Sequence, residues 1–228
     1  MNVKLDINYY FELFYPFQDR VLHLLDDLDT EFYLSGGTAA ARGYLQHRFS
    51  DELDFSVNDD ARFGLWAARA IDRLTRETAW RSEVLLREER FVRLVLYAGD
   101  ILLKLEFIND VPARVGPIAH HAVLGRLDSP ENILANKITA LIDREEPKDL
   151  ADIWGFCCQM HLSLAEALGD AQSKAAGVFP ADLARLLLSA TRTDWEQVRW
   201  IKAPTAAQFL AGLRALGEAL ILVAESDD

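Results

Sequence analysis

The chain has 228 residues with a formal net charge of −12; half of them are hydrophobic and 26% are charged. That length and composition predict an ordinary soluble fold with core enough for one large domain or two small ones. They speak against a membrane span, because no apolar run reaches the roughly 20 residues required, and the acidity opposes broad attraction to nucleic acid.

In chain order, MNVKLDINYYFELF has neither a basic start nor an apolar signal core, so the cytoplasm is the expected compartment. Tyr10, Leu13, Phe14, Phe17, Val21, Leu24, Leu25 and Leu28 recur near helical spacing and predict a packing helix over 9–28, with Pro16 starting or breaking it. Next comes FYLSGGTAAARGYLQHRFSDELDFSV, Phe32 to Val57. It reads as a strand over 31–35, a turn at Gly36 and Gly37, a short Ala-rich helix and a second strand. Alternation along that second strand puts Glu52, Asp54 and Ser56 on one face and Leu53, Phe55 and Val57 on the other. The apolar set belongs in a core, which leaves two carboxylates side by side; a divalent cation is a common reason for tolerating such a pair. Glycines at 36 and 37 let backbone N–H groups approach a phosphate at the start of the following helix.

Leu65, Ala68, Ile71 and Leu74 predict a crossover helix over 61–77. Strand signals follow at 82–86, 91–98 and 101–108, the last two joined by a tight turn at Ala98-Gly99-Asp100. In the last strand Ile101, Leu103, Leu105 and Phe107 share one face, while Lys104 and Glu106 share the other. Glu106 is either a solvated strand residue or a third acid beside Glu52 and Asp54, as two-metal phosphoryl chemistry requires. Residues 109–125 read as an irregular link; His120 and His121 within it point apart, which argues against a metal site made from both. Two local basic patches could meet RNA: Arg42 with His47 and Arg48, and Arg87 with Arg90 and Arg93.

From Asp128 the pattern is helical throughout. Ser129-Pro130 is a capped helix start. Ile133, Leu134, Ile138, Leu141 and Ile142 form the apolar stripe, and Lys137 has its base on it, so its ammonium must snorkel or meet an anion. Pro147 opens another helix with Asp149 in its first turn and Leu150, Ile153, Trp154 and Cys157 on its apolar face. Cys157 and Cys158, the two cysteines of the chain, read as structural thiols rather than a disulfide. Further helices are expected at 162–169, 181–191, 195–201 and 206–224.

Three ordered blocks together resemble the AbiEii/AbiGii toxin branch of the nucleotidyltransferase superfamily: SGGTAA with HRFSDELDF, the strand KLEF, and NKITALIDREEPKDLADI. They span Leu34 to Ile153. The resemblance implies an α+β fold, with a nucleotidyltransferase-like mixed β-sheet and flanking helices over 1–126 followed by a C-terminal helical domain over 127–228. It implies that Gly36, Gly37 and Thr38, with Arg48 and Ser50, bind the nucleoside triphosphate. Glu52, Asp54 and Glu106 would hold Mg2+, and Lys137 and Asp149 would complete the catalytic set. The implied reaction moves a nucleoside monophosphate onto an acceptor hydroxyl, on tRNA in some relatives, by a toxin paired with a cognate antitoxin. Glu52 and Glu106 stand where the family usually has aspartate, each lengthening the reach by about 1.3 Å. A nucleotide-binding relative without transferase activity is therefore one alternative, and the acidity of the chain supplies another, transfer to a protein or small-molecule hydroxyl.

Overall fold

A computed structural model describes residues 7–224; the first six residues of the stretch read above for a signal lie outside the described residues. The chain forms two compact units. One holds residues up to Ala39, Phe49–Pro112 and Pro117–Asp128, and the other holds Ala40–Arg48, Ala113–Gly116 and the chain from Ser129 onward. The sequence reading places a single boundary at 126/127, whereas these units also assign the short segments 40–48 and 113–116 to the second.

The first unit is built on a seven-stranded mixed sheet. In chain order its strands are β1 (Tyr33–Ser35), β2 (Glu52–Asn58), β3 (Arg81–Arg87), β4 (Phe91–Ala98), β5 (Ile101–Asp110), β6 (Ala119–His121) and β7 (Gly125–Leu127), arranged β3-β4-β5-β2-β1-β7-β6. The β2–β5 and β1–β7 pairs are parallel and the rest antiparallel. Alternation along β2, β4 and β5 sends Leu53, Phe55, Leu94, Leu96, Leu103, Leu105 and Phe107 to one face, where all are buried. Helix α1 (Tyr15–Asp26) carries Pro16 in its first turn, where its fixed φ is favoured, after a π-helical segment Tyr9–Phe14. After α2, the single turn Gly36–Thr38, comes α3 (Phe63–Thr75); its Ala70 lines one cavity with Leu22 and Leu25 of α1 and with Phe55 and Phe107, whose rings stack at 5.4 Å. Each large side chain buried this way stabilises the unit by about 1.5–3 kcal/mol.

Two strands correct the sequence reading of 109–125 as an irregular link. β6 and β7 have three residues each, too few for a periodic signal, and exist because Leu127 pairs with Leu34 of β1. His121 serves their turn, its Nδ1 accepting from the backbone N–H groups of Val123 and Leu124.

The second unit is helical. Its helices from Ser129 onward are α4 (Pro130–Arg144), α5 (Pro147–Trp154) running on as a π-helix over Gly155–Gln159, α6 (Leu164–Lys174), α7 (Pro180–Leu188), α8 (Arg192–Gln197) and α9 (Ala206–Ala224). Ser129 caps α4 by accepting from Asn132 N–H at 3.1 Å, and Ile133, Leu134, Ile138 and Leu141 are buried as their spacing predicts. The helix expected at 195–201 is displaced. α8 ends at Gln197, after which Trp200 bridges to Arg48 and Ile201 N–H donates to the His47 carbonyl. Cys157 is buried and not disulfide-bonded, and burial pushes its thiol up to about 12. Among the described residues no helix is long and apolar enough to cross a membrane.

Candidate functional site

The polar face of the sheet gathers the acids singled out in the sequence. Strand register lines up Ser35 of β1, Asp54 of β2, Glu106 of β5 and Arg93 of β4 in one row, and Glu52 stands opposite Lys104 in the row beside it. Glu52, Asp54 and Glu106 therefore share a face, half-buried, while Leu53 and Phe55 between them anchor the strand from behind. Glu106 is not a freely solvated strand residue: its Oε1 accepts from Arg93 Nε at 2.9 Å and lies 3.1 Å from Lys104 Nζ. The same ammonium contacts Glu52 Oε2. Burial alone would push Lys104 down, but Glu52 and Glu106 outweigh it and hold its pKa up. Asp51, one residue before the strand, is not part of this face; its carboxylate accepts from the Tyr10 hydroxyl at 2.6 Å.

The turn feeding this row is shaped by Gly36. Its φ of +63° lies in the left-handed region, and a Cβ there would overlap the Asp54 carboxylate. A helical turn, Gly36–Thr38, starts at this point and continues as a π-helix over Ala39–Leu45. Thr38 and Ser50, expected from the resemblance to bind triphosphate, are buried: Thr38 Oγ1 lies 2.9 Å from Ser50 Oγ and donates to the Glu52 carbonyl. Those hydroxyls tie the turn to the start of β2. Ser35 Oγ in turn donates to the buried carboxylate of Asp128 at 2.7 Å.

In the second unit a buried charge network surrounds Lys137. Its ammonium lies 2.8 Å from Asp149 Oδ1 and 2.7 Å from Asp152 Oδ2, so it meets anions rather than snorkelling. Arg48 grips Asp152 through Nε and Nη2, both at 2.7 Å, and Arg144 grips Asp149 through Nε at 2.8 Å and Nη2 at 3.0 Å. His47 Nε2 lies 3.0 Å from Asp152 Oδ1, while Nδ1 has no hydrogen-bond partner among the described residues. Asp149, Asp152 and His47 have no exposed surface, and Lys137 and Arg48 have almost none. Burial would raise the Asp152 carboxyl, yet Arg48 and Lys137 hold it well below its ordinary value. Burial likewise opposes the Lys137 ammonium, and Asp152 and Asp149 outweigh it to hold the pKa up.

This placement corrects one sequence expectation. His47 and Arg48 cannot form a surface patch with Arg42, because both are inside and committed to Asp152. Arg90 donates to Asp59 and to the Asn109 and Asp110 carbonyls, and Arg93 belongs to the carboxylate row. Asp152, read from sequence only as an (i, i+4) partner of Lys148, is committed to Arg48 and Lys137; it follows Asp149 by three residues on one helix, a spacing that puts both on one face. Lys104 was legible in the same way from its alternation with Glu106. The grip of Arg48 on Asp152, 104 residues away, leaves no local signal.

The residues fit a hard divalent cation in donor type. The acids offer carboxylate oxygens, Gly36 keeps the approach beside Asp54 clear of a side chain, and Lys104 already brings positive charge to Glu52 and Glu106. As they stand, no three His, Cys, Asp or Glu side chains among the described residues converge to hold an ion.

Comparison with known proteins bears on the family and the fold. A sequence profile described as "Nucleotidyl transferase AbiEii toxin, Type IV TA system" matches residues 20–199. The fold is similar to that of JHP933 from Helicobacter pylori, with a TM-score of 0.62 at 19% identity over 94% of this chain and 93% of that one. It is also similar to MenT4, a nucleotidyltransferase toxin from Mycobacterium tuberculosis H37Rv, with a TM-score of 0.61 at 18% identity over 90% and 82% of the two chains. No curated protein sequence matches.

Proposed function

Because the chain belongs to the AbiEii family of nucleotidyl transferase toxins of type IV toxin–antitoxin systems, we propose that it transfers a nucleoside monophosphate from a nucleoside triphosphate to an acceptor hydroxyl on tRNA. The observation that carries this reading is the row of acids on one sheet face, Asp54 in register with Glu106 and Glu52 beside them, opening at the Gly36 turn.

In this reading the acceptor oxygen bonds to the α-phosphorus as the bond to the bridging oxygen breaks, and pyrophosphate leaves with that electron pair. Glu106, aimed by Arg93, takes the hydroxyl proton. Backbone N–H groups of Gly36 and Gly37 face the triphosphate, since the Thr38 and Ser50 hydroxyls are spent on holding the turn. Glu52, Asp54 and Glu106 would hold Mg2+, which would supply charge neutralisation there. Lys137 and Asp149, expected from the resemblance to complete the catalytic set, are buried and paired with each other inside the helical unit, so in this reading they serve as a charge network that holds that unit. Arg48 acts through Asp152 rather than on substrate. Most of the rate gain comes from positioning and fixed charge. A cognate antitoxin is the expected protein partner, and the compartment is the cytoplasm.

One observation favours a second reading, in which the acceptor is a protein or small-molecule hydroxyl. The net charge of −12 repels a polyanion wherever the surface is not locally basic. Incubating the protein with each α-labelled triphosphate, Mg2+, total tRNA and cell protein separates the two. Label on tRNA that disappears in Asp54→Ala supports the first reading, label on protein alone supports the second, and no label on any acceptor contradicts both.

A further inference from the structure

We propose that Lys104 is a tethered occupant of the cation position, holding Glu52 and Glu106 until a divalent ion displaces it. The inference rests on the acids having the role proposed above. Three carboxylates on one half-buried face would repel each other strongly with nothing between them. Lys104 Nζ contacts Glu52 and lies 3.1 Å from Glu106, and strand register fixes this placement: Lys104 pairs with Glu52 on one side and with Val95 on the other. Val95 has no polar group to hold the ammonium, so the carboxylates are its partners on this face.

Arg93 cannot do the same. Its side chain reaches Glu106 alone of the three acids, and it also stacks over Phe91 at 5.2 Å. Lys104 has three donors on a flexible stem and can leave by rotation about its side-chain bonds without moving β5. Its side chain is about one-third exposed, so it has solvent to move into. The consequence is a site that is charge-balanced and folded without metal, and that binds metal weakly because the ion must compete with an ammonium held at contact distance.

Displacement by the ion predicts a specific asymmetry among variants. Lys104→Met removes the competitor while keeping the length of the side chain, and Lys104→Arg keeps the charge. The test is Mn2+ binding to the full chain without nucleotide, followed by the loss of the free-Mn2+ electron paramagnetic resonance signal. Circular dichroism melting of each protein with and without Mn2+ runs alongside.

Lys104→Met should bind Mn2+ about 10-fold more tightly than the unmodified protein, roughly the effect of removing one competing charge from a partly exposed site. Lys104→Arg should stay close to the unmodified affinity. Without metal, Lys104→Met should melt lower than the unmodified protein and recover more on adding Mn2+. Equal or weaker Mn2+ binding by Lys104→Met, or no binding by either protein, overturns the inference. Should Lys104→Met fail to fold without metal, Lys104→Gln provides the same comparison, with the same outcomes deciding.

Transfer of label by the same preparations shows which claim has failed. Asp54-dependent transfer with unchanged Mn2+ affinity removes only the role of Lys104. Absence of both transfer and Mn2+ binding removes the function reading as well.

Discussion

A methyl group at position 36 would collide with the Asp54 carboxylate while also sitting in a left-handed conformation that favours glycine. Gly36→Ala is therefore expected to destabilise the protein by about 1–3 kcal/mol, read from the urea midpoint. It should also lower label transfer by at least about 10-fold, because the displaced group is one of the three acids. Asp152 makes a different point. Removing its carboxylate leaves Arg48 and Lys137 buried with one anion fewer, so Asp152→Ala should cost about 3–5 kcal/mol by the same urea measurement. Removing Asp60 from its pair with the exposed Arg62 should move the same midpoint far less. Single residues also show what a sequence can and cannot carry. Glu52, Asp54 and Glu106 were legible because strand alternation is local, and register then joins their strands. The link between Arg48 and Asp152 was not, because nothing within either stretch encodes a partner 104 residues away.

Helix α4 carries the clearest lesson at the scale of elements, since its two ends are built with opposite economy. Ser129 accepts from Asn132 N–H and donates from the same hydroxyl to the Val115 carbonyl at 2.6 Å. Ser129→Ala removes both bonds, and a loss of about 1–2 kcal/mol in thermal or urea unfolding is expected. At the other end Glu145 adopts φ +49°, the left-handed cap conformation usually taken by glycine. Glu145→Gly should raise stability by about 0.5–1 kcal/mol in the same assay; a loss would show that the contact with Arg185, at 3.6 Å, matters more than the backbone. The start of α4 was legible from Ser129-Pro130, a signal contained in two residues. β6 and β7 were not, because three-residue strands have no period to detect and owe their existence to pairing with β1. The helix expected over 195–201 failed for a related reason. Its apolar spacing continues past Gln197, but Trp200 is drawn into a bridge with Arg48.

For the whole molecule the buried charges set a pH dependence whose sign follows from which state binds more protons. Burial pushes the His47 pKa down, so in mild acid the unfolded chain takes a proton that the folded chain resists. The charged groups facing this imidazole are Asp152, Arg48 and Lys137, and the two cations reinforce the shift while Asp152 opposes it. Stability should therefore decline as pH falls below about 6.5, and His47→Gln should flatten that first decline. A second loss follows at lower pH: Asp149 and Asp152 titrate below their ordinary 3.8, so the stability they contribute is present above that value and vanishes as pH falls through their lowered values. Urea midpoints measured between pH 7 and pH 3 would trace both losses, and a flat profile down to pH 4 would contradict the role given to His47.

The central claim is that one face of one sheet carries the transfer, and side-by-side assays of four proteins test it most directly. With α-labelled triphosphate, Mg2+ and acceptor in excess, Asp54→Asn and Glu106→Gln should each transfer label at least about 100-fold more slowly than the unmodified chain. Glu83→Gln, an exposed change on β3, should match the unmodified chain. Transfer by Asp54→Asn at the unmodified rate would contradict the account.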